Sequence, residues 1–173
     1  MKNIVLVGFM GTGKTAVAKE IAHDLGMQFV STDELIEKKS GMLINDIFFK
    51  KGESCFRELE REVMIEVSAG DYSVIDTGGG AVINELNVKD LKTSGVLFCL
   101  NAAAEEILKR ISNETHRPLL KVDNPLDQIN YLLKKREPYY SRADYQIDTN
   151  GRSAKEVAKE IIEIYRKVTK FGR

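Results

Sequence analysis

Eight residues near the start of the chain, Gly8-Phe9-Met10-Gly11-Thr12-Gly13-Lys14-Thr15, have the spacing G-x-x-x-x-G-K-T. These residue types suit one chemistry. Glycines let successive backbone N–H groups converge on phosphate oxygens. A lysine after the last glycine reaches the β- and γ-phosphates, and the threonine hydroxyl is a ligand for Mg²⁺. Gly11, Thr12, Gly13, Lys14, Thr15 and Ala16 are therefore candidate contacts to ATP, with Lys14 also a catalytic candidate and Thr15 a metal candidate. A dinucleotide pattern overlaps this one: Gly8, Gly11 and Gly13, with Asp33 twenty residues beyond Gly13 in the place of a ribose-binding acid. Lys14-Thr15 decides against it, because a pyrophosphate turn of that kind has no use for both.

Phosphoryl transfer to a small acceptor also needs acids and cations. Asp76 ends the apolar run Val74-Ile75 and precedes Gly78-Gly79-Gly80. It reads either as an outer-sphere Mg²⁺ partner or as an ordinary strand-end turn residue. Asp33 is the second acid near the loop. Arg57 and Glu60 are three apart on a helical stretch, so the carboxylate can brace the guanidinium; the plain alternative is a surface ion pair. Arg117 lies in a polar segment broken by Pro118, and Arg136 lies near the last strand.

These groups need a scaffold, and the hydropathy pattern supplies one. Asn3–Val7 reads as a strand buried on both faces, and Lys14–Leu25 as a helix with Val17, Ala18, Ile21, Ala22 and Leu25 on one stripe. Gln28–Val30 is a short strand and Asp33–Lys39 a helix. Ile44–Lys51 and Glu53–Ala69 are helices split at Gly52. Tyr72–Ile75 and Val96–Leu100 are strands, Ala103–Ile111 a helix, and Asn113–Asn124 a polar break. Leu126–Arg136 is a helix stopped by Pro138, Tyr145–Ile147 a strand, and Ser153–Tyr165 a helix opened by a Ser153/Glu156 capping box. Strands alternating with helices predict a three-layer αβα sandwich around a parallel sheet. Its ligands would sit outside the carboxyl ends of the strands.

Composition narrows the function classes. The 173 residues suit a single domain, spanning 1–173, with a helical insertion at 32–69 and a lid at 112–124. Twenty-six basic and 26 acidic residues cancel, which predicts no nucleic-acid or membrane partner. The apolar runs are too short to span a bilayer. Cys55 and Cys99 form no metal or redox motif, and His23 and His116 have no ligand spacing, so a cytoplasmic location is expected.

Over nearly the whole chain these motifs resemble the shikimate kinases. The resemblance is carried by the phosphate loop, by Ser31-Thr32-Asp33 with Ile36-Glu37 and Gly41, and by Gly52-Glu53 with Phe56-Arg57-Glu58-Leu59-Glu60. It continues through Gly78-Gly79-Gly80, Arg117-Pro118-Leu119-Leu120, and Arg136 with Tyr139 read as an Arg-x-x-x-Tyr motif. The resemblance implies a nucleoside monophosphate kinase type of fold with a five-stranded parallel sheet, and transfer of the ATP γ-phosphoryl group to the 3-hydroxyl of shikimate. It makes Asp33 the group that holds the reacting hydroxyl and takes its proton. It gives Arg57 and Arg136 the shikimate carboxylate, Gly79 and Gly80 the ring, and Arg117 the phosphates on lid closure. Arg110, with Arg152 in the loop Asn150–Ala154 opposite, would flank adenine. A monomer is the family expectation. One residue departs: the family's first acid of Asp-x-Asp, associated with Mg²⁺ through water, is Ser31 here, and Asp76 is the candidate to supply the missing charge. Rival readings are a kinase of gluconate or of a nucleoside monophosphate, and a non-catalytic nucleotide-binding module. Retention of Lys14, Asp33, Arg57, Arg117 and Arg136 together argues against the last.

Overall fold

The computed structural model describes residues 2–112 and 123–170. Its elements run β1 (Asn3–Gly8), α1 (Lys14–Leu25), β2 (Gln28–Ser31), α2 (Thr32–Ser40), α3 (Ile44–Ala69), β3 (Ser73–Asp76), a 3-10 turn (Ala81–Ile83), α4 (Glu85–Ser94), β4 (Gly95–Asn101), α5 (Ala104–Ile111), α6 (Pro125–Tyr140), β5 (Tyr145–Asp148) and α7 (Ala154–Lys170). The five strands form one parallel sheet in the order β2-β3-β1-β4-β5.

Strand β1 is central, and all six of its residues are buried. Side chains alternate across a strand, so each face takes every second residue. Ile4 and Leu6, with Val74, Phe98 and Leu100, pack on α1 and α7 through Val17, Ile21, Val157 and Ile161. Val5 and Val7, with Ile75, Leu97 and Cys99, pack on the other layer through Ile36, Phe56, Val63, Leu91, Ile107 and Ile129. Both faces are therefore dry, which explains why the strands read as continuous apolar runs. Among the described residues no helix is long and apolar enough to cross a membrane.

Three local features differ from the hydropathy reading. Helix α4 was not visible as a periodic stripe, because its only large apolar residues are Leu86, Val88 and Leu91, and Leu86 is exposed. Its start is marked instead by Asn84, whose side chain accepts from the Leu86 N–H at 2.9 Å. Arg61 of α3 ties it down through Asp90 at 2.6 Å and Asn87 at 3.0 Å. Helix α6 passes through Pro138 and ends at Tyr140. A proline removes one N–H and crowds one carbonyl, but so near a helix end the last turn survives. Tyr72 precedes β3 rather than opening it, and has a φ of 54°. The break at Gly52 is as expected: φ 82°, ψ 172° interrupts α3. The reciprocal Ser153/Glu156 box also forms at the start of α7.

Candidate active site

The phosphate loop joins β1 to α1 at the carboxyl edge of the sheet. The Lys14 ammonium is folded back onto its own loop, donating to the Gly8 and Phe9 carbonyls at 3.0 Å each. Thr12 donates to the Phe9 carbonyl at 2.8 Å and closes the turn. The Thr15 hydroxyl donates to Asp76 Oδ2 at 2.6 Å. Asp76 is 6% exposed, and burial pushes its pKa up against the opposing pull of Thr15 and Lys14. The β2–β3 register sets Ser31 directly beside Asp76. Ser31 caps α2, its hydroxyl accepting from the Glu34 N–H at 3.3 Å.

One residue into α2 from the capped end, Asp33 faces a cleft of about 500 Å³ that it shares with the loop, Ser31, Asp76, Gly78 and Gly79. The residue is exposed to the cleft, but its carboxylate sits close against Gly78, and the partial loss of water there pushes its pKa up to about 6. Lys14 opposes the shift, while Asp76, Glu60 and Glu37 add to it.

The glycine turn after β3 lets three helices approach one point. A side chain at Gly78 would place its Cβ 2.7 Å from Asp33 Oδ1, and one at Gly80 would place it 2.7 Å from Arg57 Nη1. The Gly78 N–H donates to Thr32 Oγ1 at 3.2 Å, linking the turn to the start of α2. Arg57, on α3, is gripped from two sides. Its Nη1 donates to buried Glu60 at 2.8 Å, and its Nη2 and Nε donate to Glu53 at 3.1 and 3.2 Å. Burial raises the pKa of Glu60, and Arg57 and Arg136 oppose that shift. The bracing read from the sequence is thus a half-buried clamp, not a surface pair. Phe56 is core, and its ring also lies 5.2 Å under the Arg57 guanidinium.

From α6, Arg136 lies over the Phe9 ring at 5.3 Å and donates to the Gly79 carbonyl at 3.4 Å. Tyr140 is 6% exposed and donates to the same carbonyl at 2.7 Å. This corrects the reading that paired Arg136 with Tyr139. Arg136 and Tyr140 are four positions apart, which puts those two on one helix face; Tyr139 points elsewhere and packs under Arg142 at 5.1 Å. The Arg-x-x-x-Tyr spacing, counted strictly, was the signal for Tyr140.

Beyond the loop, Thr12, Gly13 and Ala16 share a recess of about 210 Å³ with Arg110 and Arg152. Arg110 donates to the Thr149 carbonyl at 2.7 Å and to Glu106 at 2.9 Å. Arg152 donates to the Asp148 carbonyl at 2.8 Å and pairs with Glu160 at 2.7 Å. Both are held in place as walls. Most of the expected lid, with Arg117 and His116, lies outside the described residues. His23 is exposed beside Asp24. Among the described residues there is no cluster of three or more His, Cys, Asp or Glu able to hold a metal.

Known proteins share this chain's sequence pattern and fold. The family model for shikimate kinase matches residues 10–166. A shikimate kinase from Thermodesulfovibrio yellowstonii is 50% identical over 169 residues, 98% of each chain. The structure of shikimate kinase from Acinetobacter baumannii in complex with shikimate superposes with a TM-score of 0.90 at 39% identity, covering 96% of this chain and 94% of that one. A gluconokinase from Sinorhizobium meliloti superposes with a TM-score of 0.63 at 13% identity, over 99% and 98% of the two chains, and shares the fold alone.

Proposed function

Because the chain belongs to the shikimate kinase family, we infer that its cleft transfers the γ-phosphoryl group of ATP to the 3-hydroxyl of shikimate, giving shikimate 3-phosphate and ADP. The observation that carries the site assignment is the convergence of Asp33, Arg57 and Arg136 on the Gly78–Gly80 turn, across the cleft from the phosphate loop.

Each residue's task follows from its chemistry. Arg57 and Arg136 offer planar pairs of N–H donors to the shikimate carboxylate. Glu53 and Glu60 fix the plane of Arg57 before the substrate arrives, so less ordering entropy is lost on binding. Glycine at 79 and 80 leaves room for the ring. Asp33 accepts a hydrogen bond from the reacting hydroxyl, aims its lone pair at phosphorus, and takes the proton as the bond forms. Phosphoryl transfer asks for positioning more than for a strong base. Lys14 exchanges the Gly8 and Phe9 carbonyls for phosphate oxygens. Arg110 and Arg152 flank adenine, and the resemblance assigns Arg117 to the phosphates. A lid closing there would exclude water and limit idle ATP hydrolysis.

The residues at the loop suit Mg²⁺, a hard cation that prefers oxygen ligands. The Thr15 hydroxyl and, one shell out, the Asp76 carboxylate are such oxygens, already in contact at 2.6 Å. When bound, Mg²⁺ supplies charge neutralisation at the β- and γ-phosphates. The balanced charge of the chain argues against nucleic-acid and anionic-membrane partners, and the family resemblance supports a monomer.

Calorimetric titration of shikimate tests the carboxylate grip. Arg57→Ala and Arg136→Ala should each weaken binding by roughly 10- to 100-fold, the loss expected for a charge-assisted pair. Parent-like affinity in both variants would remove the arginines from the site.

A further inference from the structure

The metal-associated acid expected at position 31 is a serine in this chain, while a buried carboxylate stands beside it on the next strand. We propose that the charge governing the Mg²⁺ site has moved from the end of β2 to the end of β3, so that Asp76, acting through Thr15 and metal-bound water, does the work of an acid at position 31. The inference rests on the ATP-dependent kinase reading.

Three observations carry it. Ser31 and Asp76 are direct partners in the β2–β3 ladder, so the two positions approach the same corner of the cleft from neighbouring strand ends. Asp76 already holds the Thr15 hydroxyl at 2.6 Å. A hydroxyl has one proton and two lone pairs. With the proton committed to Asp76, the lone pairs of Thr15 are left to face a cation, and a metal that acidifies the hydroxyl strengthens the same hydrogen bond. Finally, Ser31 is occupied as the cap of α2 and brings no charge. Asp76 is 6% exposed with the Thr15 hydroxyl as its hydrogen-bond partner, and a divalent cation with its water shell, brought by the adjoining phosphate site, would add to the compensation of its buried charge.

The exchange is testable because both substitutions preserve local structure. Asp76→Asn keeps the shape and an acceptor oxygen for Thr15 but removes the charge. Ser31→Asp keeps the helix cap, since aspartate caps as well as serine. The measurement is calorimetric binding of a non-hydrolysable ATP analogue across a Mg²⁺ titration, with shikimate absent. Asp76→Asn should cut the Mg²⁺-dependent gain in analogue affinity by about tenfold or more without weakening metal-free binding, because losing a negative charge beside the phosphates removes a repulsion. Adding Ser31→Asp to it should bring the gain back to within about threefold of the parent. An unchanged Mg²⁺ dependence in Asp76→Asn overturns the proposal, and so does a double variant as weak as the single one. Metal-free affinity reports that each variant is folded. Because no acceptor is present, either failure leaves the shikimate assignment standing.

Discussion

Asp33 is held between opposing demands. Its place on α2, against Gly78 and near Asp76, Glu60 and Glu37, disfavours the charge that a proton acceptor needs, and Lys14 only partly offsets this. A pKa of about 6 leaves it ionised at neutral pH yet basic enough to take a proton. Two consequences follow. The parent should lose kcat/KM as pH falls below about 6, with the inflection absent from the residual activity of Asp33→Asn, whose kcat should be roughly 10²- to 10⁴-fold lower. Stability should move the other way. A carboxyl whose folded pKa lies above its unfolded value binds its proton more tightly when folded, so its contribution to stability is lost between about pH 4 and pH 6 as pH rises. Asp33→Asn should therefore melt at a higher temperature than the parent at pH 8, and the difference should close toward pH 4. A variant that melts lower at pH 8 would mean Asp33 is a structural anchor. The residues proposed for this chemistry were largely legible in the sequence as candidates, because glycine, lysine, threonine and arginine at fixed spacings have few other uses. Tyr140 was missed because the Arg-x-x-x-Tyr spacing from Arg136 was counted one residue short; counted strictly it names Tyr140, the tyrosine that faces Gly79.

At the level of elements, the glycine turn is a hub held from three helices. Tyr140 of α6 pins the Gly79 carbonyl, Thr32 of α2 takes the Gly78 N–H, and the Arg57 guanidinium of α3 lies against Gly80. Burial pushes the Tyr140 hydroxyl up to about 12, so it stays a donor throughout the working pH range. Tyr140→Phe keeps the packed ring and removes one buried hydrogen bond, worth about 1 kcal/mol. KM for shikimate should rise several-fold with KM for ATP nearly unchanged; equal changes in both would show a general loosening of α6. Gly52 acts at the same scale. Its φ of 82° and ψ of 172° lie in a region essentially reserved for glycine, and a Cβ there would meet nothing within 4 Å. Gly52→Ala should therefore cost about 1–3 kcal/mol through backbone strain alone, seen as a melting point several degrees lower. A neutral result would mean the kink relaxes freely. The Gly52 break was legible because glycine inside a helical pattern is a known punctuation. Helix α4 was not, since a short helix with three large apolar residues leaves no stripe, and α6 ran past Pro138 because the proline sits in its last turn.

Across the whole molecule, two apolar layers clamp a parallel sheet, and everything that varies in chemistry is gathered at one edge of it. The alternation of strands and helices was enough to read the class. The strand order was not readable from hydropathy, because no local pattern says that β3 inserts between β2 and β1. That insertion is what sets Ser31 beside Asp76 and brings the β3 glycine turn across from the phosphate loop. The most direct test of the account is ADP release from Mg·ATP by the purified protein, measured with shikimate, with gluconate, and with the common nucleoside monophosphates. Strong stimulation by shikimate and little by the others is the predicted result. Turnover with another acceptor and none with shikimate would contradict it, leaving the phosphate loop and the fold but not the acceptor site drawn from Asp33, Arg57 and Arg136.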